Sequence, residues 1–187
     1  MYCGSRIGGQ AAFEVTAHRV GTLIGQRGWQ LVYGGGNAGL MGVVANAALA
    51  AGASVIGVIP HSLMERELGH PGLTELHVVD TMHARKQMMA ERADAFMALP
   101  GGIGTFEELL EVWTWRQLGY HDKPVGLLNV DGYYDRLLSF MDQAVNDGFV
   151  PPAQRQLLQV ADDAAELLDR LAEHAQHAVA PDDYRQI

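Results

Sequence analysis

Apolar runs of about five residues alternate along this chain with longer segments whose apolar positions recur at helical spacing. The runs Gln30–Tyr33, Ser54–Ile59, Glu75–Val79, Asp94–Leu99, Val125–Leu128 and, more weakly, Leu157–Val160 predict strands. Ala11–Arg27, Leu40–Ala51, Met82–Arg92, Thr105–Leu118, Tyr133–Asp147 and Ala161–Ala175 predict helices. Alternation of the two implies an α/β fold, with helices flanking a parallel sheet. Leu40–Ala51 is apolar all round, which predicts burial between layers. Thr105–Leu118 carries Phe106, Leu109, Leu110 and Trp113 on one face and Val112 and Trp115 on another. Two apolar faces predict packing on both sides, one of them against a second subunit. Tyr2-Cys3 is too short for a central strand, so it reads as a stub or as the remnant of a truncated start. From His174 the pattern fades through Pro181-Asp182-Asp183; residues 1–175 are expected to form one domain and 176–187 a flexible tail.

Composition narrows the function. The 187 residues suit a single core, and 48% are hydrophobic, which argues against disorder. A net charge of −9 argues against nucleic acid as a partner, though not against a small anion held by a local loop. No apolar run approaches the ~20 residues that span a bilayer, and no signal peptide is visible, so neither membrane insertion nor export is expected. The single cysteine, Cys3, precludes an internal disulfide and suits a reducing, cytoplasmic setting. The eight histidines show no metal-ligand spacing, and no Gly-x-Ser-x-Gly elbow is present.

Two glycine-rich turns, each between a predicted strand and a predicted helix, carry the candidate chemistry. In the first, Tyr33 to Gly42, residues Gly34, Gly36 and Gly39 satisfy G-x-G-x-x-G. A dinucleotide site also wants an acidic residue at the tip of the next strand, and Ile59-Pro60-His61 supplies none. A mononucleotide phosphate fits better; the alternative is that these glycines serve only a tight turn. In the second, Pro100-Gly101-Gly102-Ile103-Gly104-Thr105 breaks a strand into a helix whose N-terminal amides and dipole favour an anion. A Walker A loop is excluded, because no Gly-Lys-Ser/Thr occurs. Both turns should lie at the carboxyl edge of the sheet, where open α/β folds bind ligands.

Charged residues cluster around these turns. Thr105-Phe106-Glu107-Glu108 reads as a capping box with Thr105 as N-cap, a role that leaves Glu108 able to do chemistry as well. Arg85 and Lys86 fall near the start of a helix capped by Asp80 or Thr81, where cations oppose the dipole unless an anion shares the site. Glu67 lies in a long loop after a strand, and His83 reads as structural or ligand-orienting.

In their order and spacing, three motifs resemble the LOG ("Lonely guy") phosphoribohydrolases, a family long described as lysine decarboxylases. They are Tyr33 through Gly42, Met82 through Lys86 and Pro100 through Glu108, and the likeness runs from Cys3-Gly4-Ser5 to about Phe149. The resemblance implies a doubly wound Rossmann-like sheet and hydrolysis of cytokinin riboside 5′-monophosphates, and of adenosine 5′-monophosphate, to free base and ribose 5-phosphate. It implies Arg85 and Glu108 at the two catalytic positions. It implies substrate contacts from Ser5, Gly34, Gly35, Gly36, Glu67, Met82, Lys86, Gly101, Gly102, Ile103, Gly104, Thr105, Phe106, Glu107 and Thr114. It further implies a homodimer with sites completed at the interface and a nucleotide as the small-molecule partner. No metal or organic cofactor is expected, since water is the second substrate. A pyridoxal enzyme would need a Schiff-base lysine, and Lys86 and Lys123 are the only lysines.

The expected mechanism follows from the bond broken. Positive charge develops on the sugar, so a carboxylate near the anomeric carbon stabilises it and takes a proton from water. Glu108 is assigned that role. Arg85 fixes the ribose and phosphate or holds Glu108 ionised. The phosphate is expected on the backbone of Gly102 to Thr105, helped by Gly34–Gly36. The rivals are a nucleosidase of broad base choice and a non-catalytic nucleotide- or cofactor-binding module. A buried carboxylate would only repel the ligand of a pure phosphate binder.

Overall fold

The computed structural model describes residues 1–64, 68–178 and 182–184. Its elements are α1 (Ala11–Gln26), β1 (Leu31–Tyr33), α2 (Gly39–Ala50), β2 (Val55–Pro60), β3 (Glu75–Val79), α3 (Met82–Glu91), β4 (Phe96–Ala98), α4 (Ile103–Leu118), β5 (Val125–Leu128), α5 (Asp135–Asn146), α6 (Pro152–Arg155), β6 (Leu158–Ala161) and α7 (Ala164–Gln176). All predicted strands and helices are present. Among the described residues, the short α6 and two single 3-10 turns, His61–Leu63 and Val130–Gly132, are unforeseen, and α7 starts after the expected position because Ala161 ends β6. Asp163 then caps α7, accepting from the amides of Ala165 and Glu166 at 2.8 and 3.0 Å.

Strands pair in parallel as β3-β2-β1 and as β4-β5-β6. Residues 1–3 join the two sets. Tyr2 donates to the Met97 carbonyl and accepts from the Leu99 amide, both at 2.9 Å, while the Met1 nitrogen donates to Val32 O at 2.8 Å. The strand order therefore reverses between this stub and β4, which makes a topological switch point at their carboxyl ends.

Alternate strand residues face opposite sides, so one sheet feeds two cores. Leu31, Tyr33, Met97, Leu99 and Leu128 pack with α1, α2 and α7. Val32, Ile56, Val58, Phe96, Ala98 and Leu127 pack with α3 and α4. As expected, α2 is enclosed, with Leu40, Met41, Val44, Ala45, Ala47 and Ala48 buried. A cleft of about 530 Å³ opens at the other, amino-terminal end of β1 and β4, lined in part by Trp29, Leu31, Asp94 and Leu171. None of the motif residues lines it.

Two sequence expectations need correction. The second apolar face of α4 is covered within the chain: Val112 and Trp115 are buried, and Trp115 packs against Tyr184, ring centroids 5.8 Å apart. On the first face, Trp113 donates its indole N–H to Gln154 O in α6 at 3.0 Å. The segment expected to fray is docked at Asp182–Tyr184, where Asp183 N donates to Tyr120 O at 2.9 Å and Tyr184 is 4% exposed. The pattern misses this because the contacts join residues some 60 positions apart, and a lone aromatic has no periodicity. Asp182 also pairs with Lys123, which donates to Ala90 O at 2.9 Å.

His121 is enclosed by this region, with its Nε2 3.0 Å from Val112 O and its ring beside Phe96 and Tyr184. Burial pushes its pKa down to about 4, against the Val112 carbonyl and with help from Lys123. The unfolded chain takes this proton near pH 6.5, so stability present above that value is lost as pH falls toward 4. We expect a loss on the order of 3 kcal/mol across that window, and a flatter pH dependence for His121→Gln, in urea titrations.

Candidate active site

Parallel pairing brings the segments after the stub, β1, β3, β4 and β5 to one edge, and the sequence motifs meet there. The second glycine turn is held from behind. Leu99 O accepts from Tyr134 Oη at 2.7 Å, Pro100 O from Gly4 N at 3.0 Å and Gly101 O from Tyr133 Oη at 2.6 Å. The α4 helix then starts at Ile103, with Gly102 as N-cap and no side-chain cap. The capping box expected at Thr105 is therefore not formed. Thr105 is buried in the first turn, packed so close to Gly101 that a Cβ there would lie 2.1 Å from its Oγ1. With the turn fixed by these long-range bonds, the helix begins three residues before the point at which local capping chemistry would start it.

Gly102 and Gly104 are exposed, and a Cβ added to either meets no atom within 4 Å. Gly102 has φ −98°, where any residue is accommodated. Neither packing nor φ requires glycine at 102. Close approach of a ligand to the helix amides gives a reason for it.

Arg85 enters from α3, whose N-cap Thr81 accepts from Ala84 N at 3.0 Å. It is 4% exposed, and its Nη2 donates to Gly34 O at 3.2 Å. Its Nη1 lies 3.8 Å from the sulfur of Met82. A Cβ on Gly34 would stand 1.9 Å from that Nη2, so glycine there lets the guanidinium keep this position. Glu108 projects from the second turn of α4 and brings Oε1 to 4.0 Å from Arg85 Nη2, its side chain 13% exposed.

Lys86, next to Arg85, donates to Glu107 Oε1 and Glu111 Oε1, both at 2.7 Å. Partial burial opposes its charge, and these two carboxylates outweigh it, so its pKa is raised. The resulting ammonium ties α3 to α4 and fixes the approach of Arg85 to Glu108. It is a poor nucleophile in that state.

The other expected site residues fall in three groups. Gly34, Gly35 and Gly36 are buried, and their carbonyls accept from Arg85, His70 N and Tyr33 Oη; they build the wall behind Arg85. Ile103 and Phe106 flank the open turn, with Ile103 84% exposed and Phe106 edge-on to Tyr134 at 6.0 Å; Ser5 follows Gly4, which bonds the turn, and Met82 lies against Arg85. Thr114 is set apart: it donates to Leu110 O at 2.7 Å on the exposed side of α4, about 10 Å along the axis from Glu107. Glu67 lies outside the described residues. Sequence reasoning missed Tyr133 and Tyr134 as site residues, because nothing in a Tyr-Tyr pair on a predicted helix points at a turn some 30 residues earlier. Among the described residues no cluster of His, Cys, Asp and Glu could hold a metal, and no helix is long and apolar enough to cross a membrane.

An uncapped helix N-terminus, open glycines and an arginine–carboxylate pair meet at the switch point of a doubly wound sheet, the architecture of a Rossmann-type protein. The family model described as "Possible lysine decarboxylase" matches residues 41–171. A cytokinin riboside 5′-monophosphate phosphoribohydrolase of Arabidopsis thaliana is 52% identical over 94% of this chain and 81% of its own. Another, from Oryza sativa subsp. japonica, is 53% identical over 93% and 72%. The chain belongs to the LOG family. Solved structures of similar fold include a molybdenum cofactor binding protein from Rippkaea orientalis, at TM-score 0.67 and 23% identity over 88% of each chain. The Moco carrier protein of Chlamydomonas reinhardtii reaches TM-score 0.67 at 22% identity, over 92% and 93%. At these identities the likeness is one of fold.

Gly104→Ala tests the reading of the open glycines. It adds a helix-favouring residue in empty space, so we expect it to raise unfolding free energy by about 0.5–1 kcal/mol in urea titrations, whereas Gly34→Ala should lower it.

Proposed function

We infer that this chain hydrolyses the N-glycosidic bond of cytokinin riboside 5′-monophosphates, and of adenosine 5′-monophosphate, releasing the free base and ribose 5-phosphate. The observation that carries the reading is the Arg85–Glu108 pair beside an open anion-binding turn. A carrier of phosphate compounds gains nothing from a carboxylate there, whereas a glycosidic cleavage needs one. The names of the relatives agree with it.

The chemistry follows from the geometry. The 5′-phosphate lies against the amides at the start of α4, where dipole and donors favour it. That sets the ribose over the first turns, within reach of Glu108. As the C1′–N bond breaks, Glu108 stabilises the cationic sugar and accepts a proton from the attacking water, while the departing base takes up a proton. Arg85, anchored on Gly34 O and Met82, offsets the repulsion between carboxylate and phosphate.

The family model's description does not fit the amines. Lys86 is a protonated partner of two glutamates, and Lys123 is buried against Ala90 O and Asp182. Neither is poised to form a Schiff base. A homodimer completes the reading: Thr114 shares an exposed face of α4 with Glu107, and with exposed Met82 and Ile103 it forms a surface that a second copy would cover to close the site.

Glu108→Gln should lower kcat for adenosine 5′-monophosphate by at least about two orders of magnitude, measured as adenine release. Near wild-type turnover would remove Glu108 from the chemistry. Adenosine should show a much lower kcat/KM than its 5′-monophosphate, because the remote phosphate holds the reacting centre in place. Equal values would contradict the anchoring.

A further inference from the structure

Between β5 and α5 the chain makes an unusual turn. Asp131 and Gly132 both adopt left-handed conformations, φ 49° and 71°. Asn129 holds the turn, accepting from Tyr134 N and donating to Asp135 Oδ1, both at 2.7 Å. The result is that two consecutive tyrosines point at the same short stretch, Leu99 to Gly101. Their rings are fixed as well: Tyr133 stands edge-on to Phe13 at 5.3 Å and to Tyr134 at 4.8 Å.

The two hydroxyls do different things. A trans peptide is planar, so its C=O and N–H point in opposite directions. Tyr133 Oη holds Gly101 O, so the Gly102 N–H of that same plane is aimed away from the tyrosine, with Gly102 itself exposed. Gly4 N holds Pro100 O and aims the Gly101 N–H in the same way. Tyr134 holds Leu99 O, but the next residue is proline and has no N–H to aim. The Gly101–Gly102 plane is also flanked by glycine on both sides. Rotation about the two adjoining bonds is open to it as to no other peptide in the turn.

Close approach of a phosphate asks for glycines here, and the same glycines leave the donor free to turn over. We propose that Tyr133 is a positioning residue that prevents this, locking the Gly101–Gly102 peptide with its N–H toward the substrate phosphate. The proposal rests on the phosphate seat inferred above. It makes Tyr133 a determinant of affinity for the phosphate-bearing part of the ligand and of nothing else. Tyr134, more deeply buried, is a structural counterpart.

Tyr133→Phe keeps the ring and its packing and removes only the hydroxyl. We expect the inhibition constants of ribose 5-phosphate and of inorganic phosphate to rise about tenfold, as for loss of one hydrogen bond to a charged group, with KM for adenosine 5′-monophosphate rising in parallel. The inhibition constant of adenine, the product without phosphate, stays at the wild-type value. Tyr134→Phe should lower the thermal midpoint without separating adenine from ribose 5-phosphate. Unchanged phosphate affinity in Tyr133→Phe, or equal shifts for adenine and ribose 5-phosphate, overturns the proposal. Calorimetric titration with ribose 5-phosphate decides the matter even if the wild-type protein releases no base, an outcome that defeats the hydrolase reading alone. Failure of ribose 5-phosphate to bind the wild-type protein removes the seat, and the role of Tyr133 with it.

Discussion

Negative charge is concentrated beside the turn proposed to seat an anion. Glu107, Glu108 and Glu111 all lie in the first turns of α4, the helix whose N-terminus faces the open glycine turn. The arrangement works because α3 sets two cations against them: Lys86 holds Glu107 and Glu111, and Arg85 stands beside Glu108. Cations near the start of α3 are unfavourable for that helix taken alone. They are explained by the neighbouring helix, whose carboxylates they balance. On the proposed reading, Glu108 carries the chemistry and the amides at the start of α4 seat the phosphate.

Sheet topology makes this balance possible. Reversal of strand order beside residues 1–3 brings the segments after β1, β3, β4 and β5 to one carboxyl edge. Arg85 reaches that edge from one half of the sheet, and Glu108 and the tyrosines from the other. Gly34 allows the guanidinium to press against β1's end. The backbone strain at Asp131, of order 1–3 kcal/mol for a residue of this kind, falls in the turn that aims the tyrosines.

Much of this is legible in the chain. Among the described residues, apolar runs and period-3.6 patterning found the six strands and six of the seven α-helices, because both cores are fed by long apolar runs. The glycine turns, Arg85 and Lys86 stood out because their residue types conflict with their local setting: glycines opening a helix, cations at a positive helix end. Such conflicts are resolved by something outside the segment, which marks them as candidate site residues.

Sequence by itself determined the alternation of elements, the parallel sheet and the set of residues at its carboxyl edge, since periodicity and chain polarity are local and additive along the chain. Tertiary structure alone decided the start of α4 at Ile103, the covering of its two apolar faces by Gln154 and Tyr184, the pairing of Lys86 with two glutamates and the tyrosine bonds behind the glycine turn. Each depends on atoms brought together from distant parts of the chain. Their energy exists only once the sheet has closed, and no local pattern encodes it.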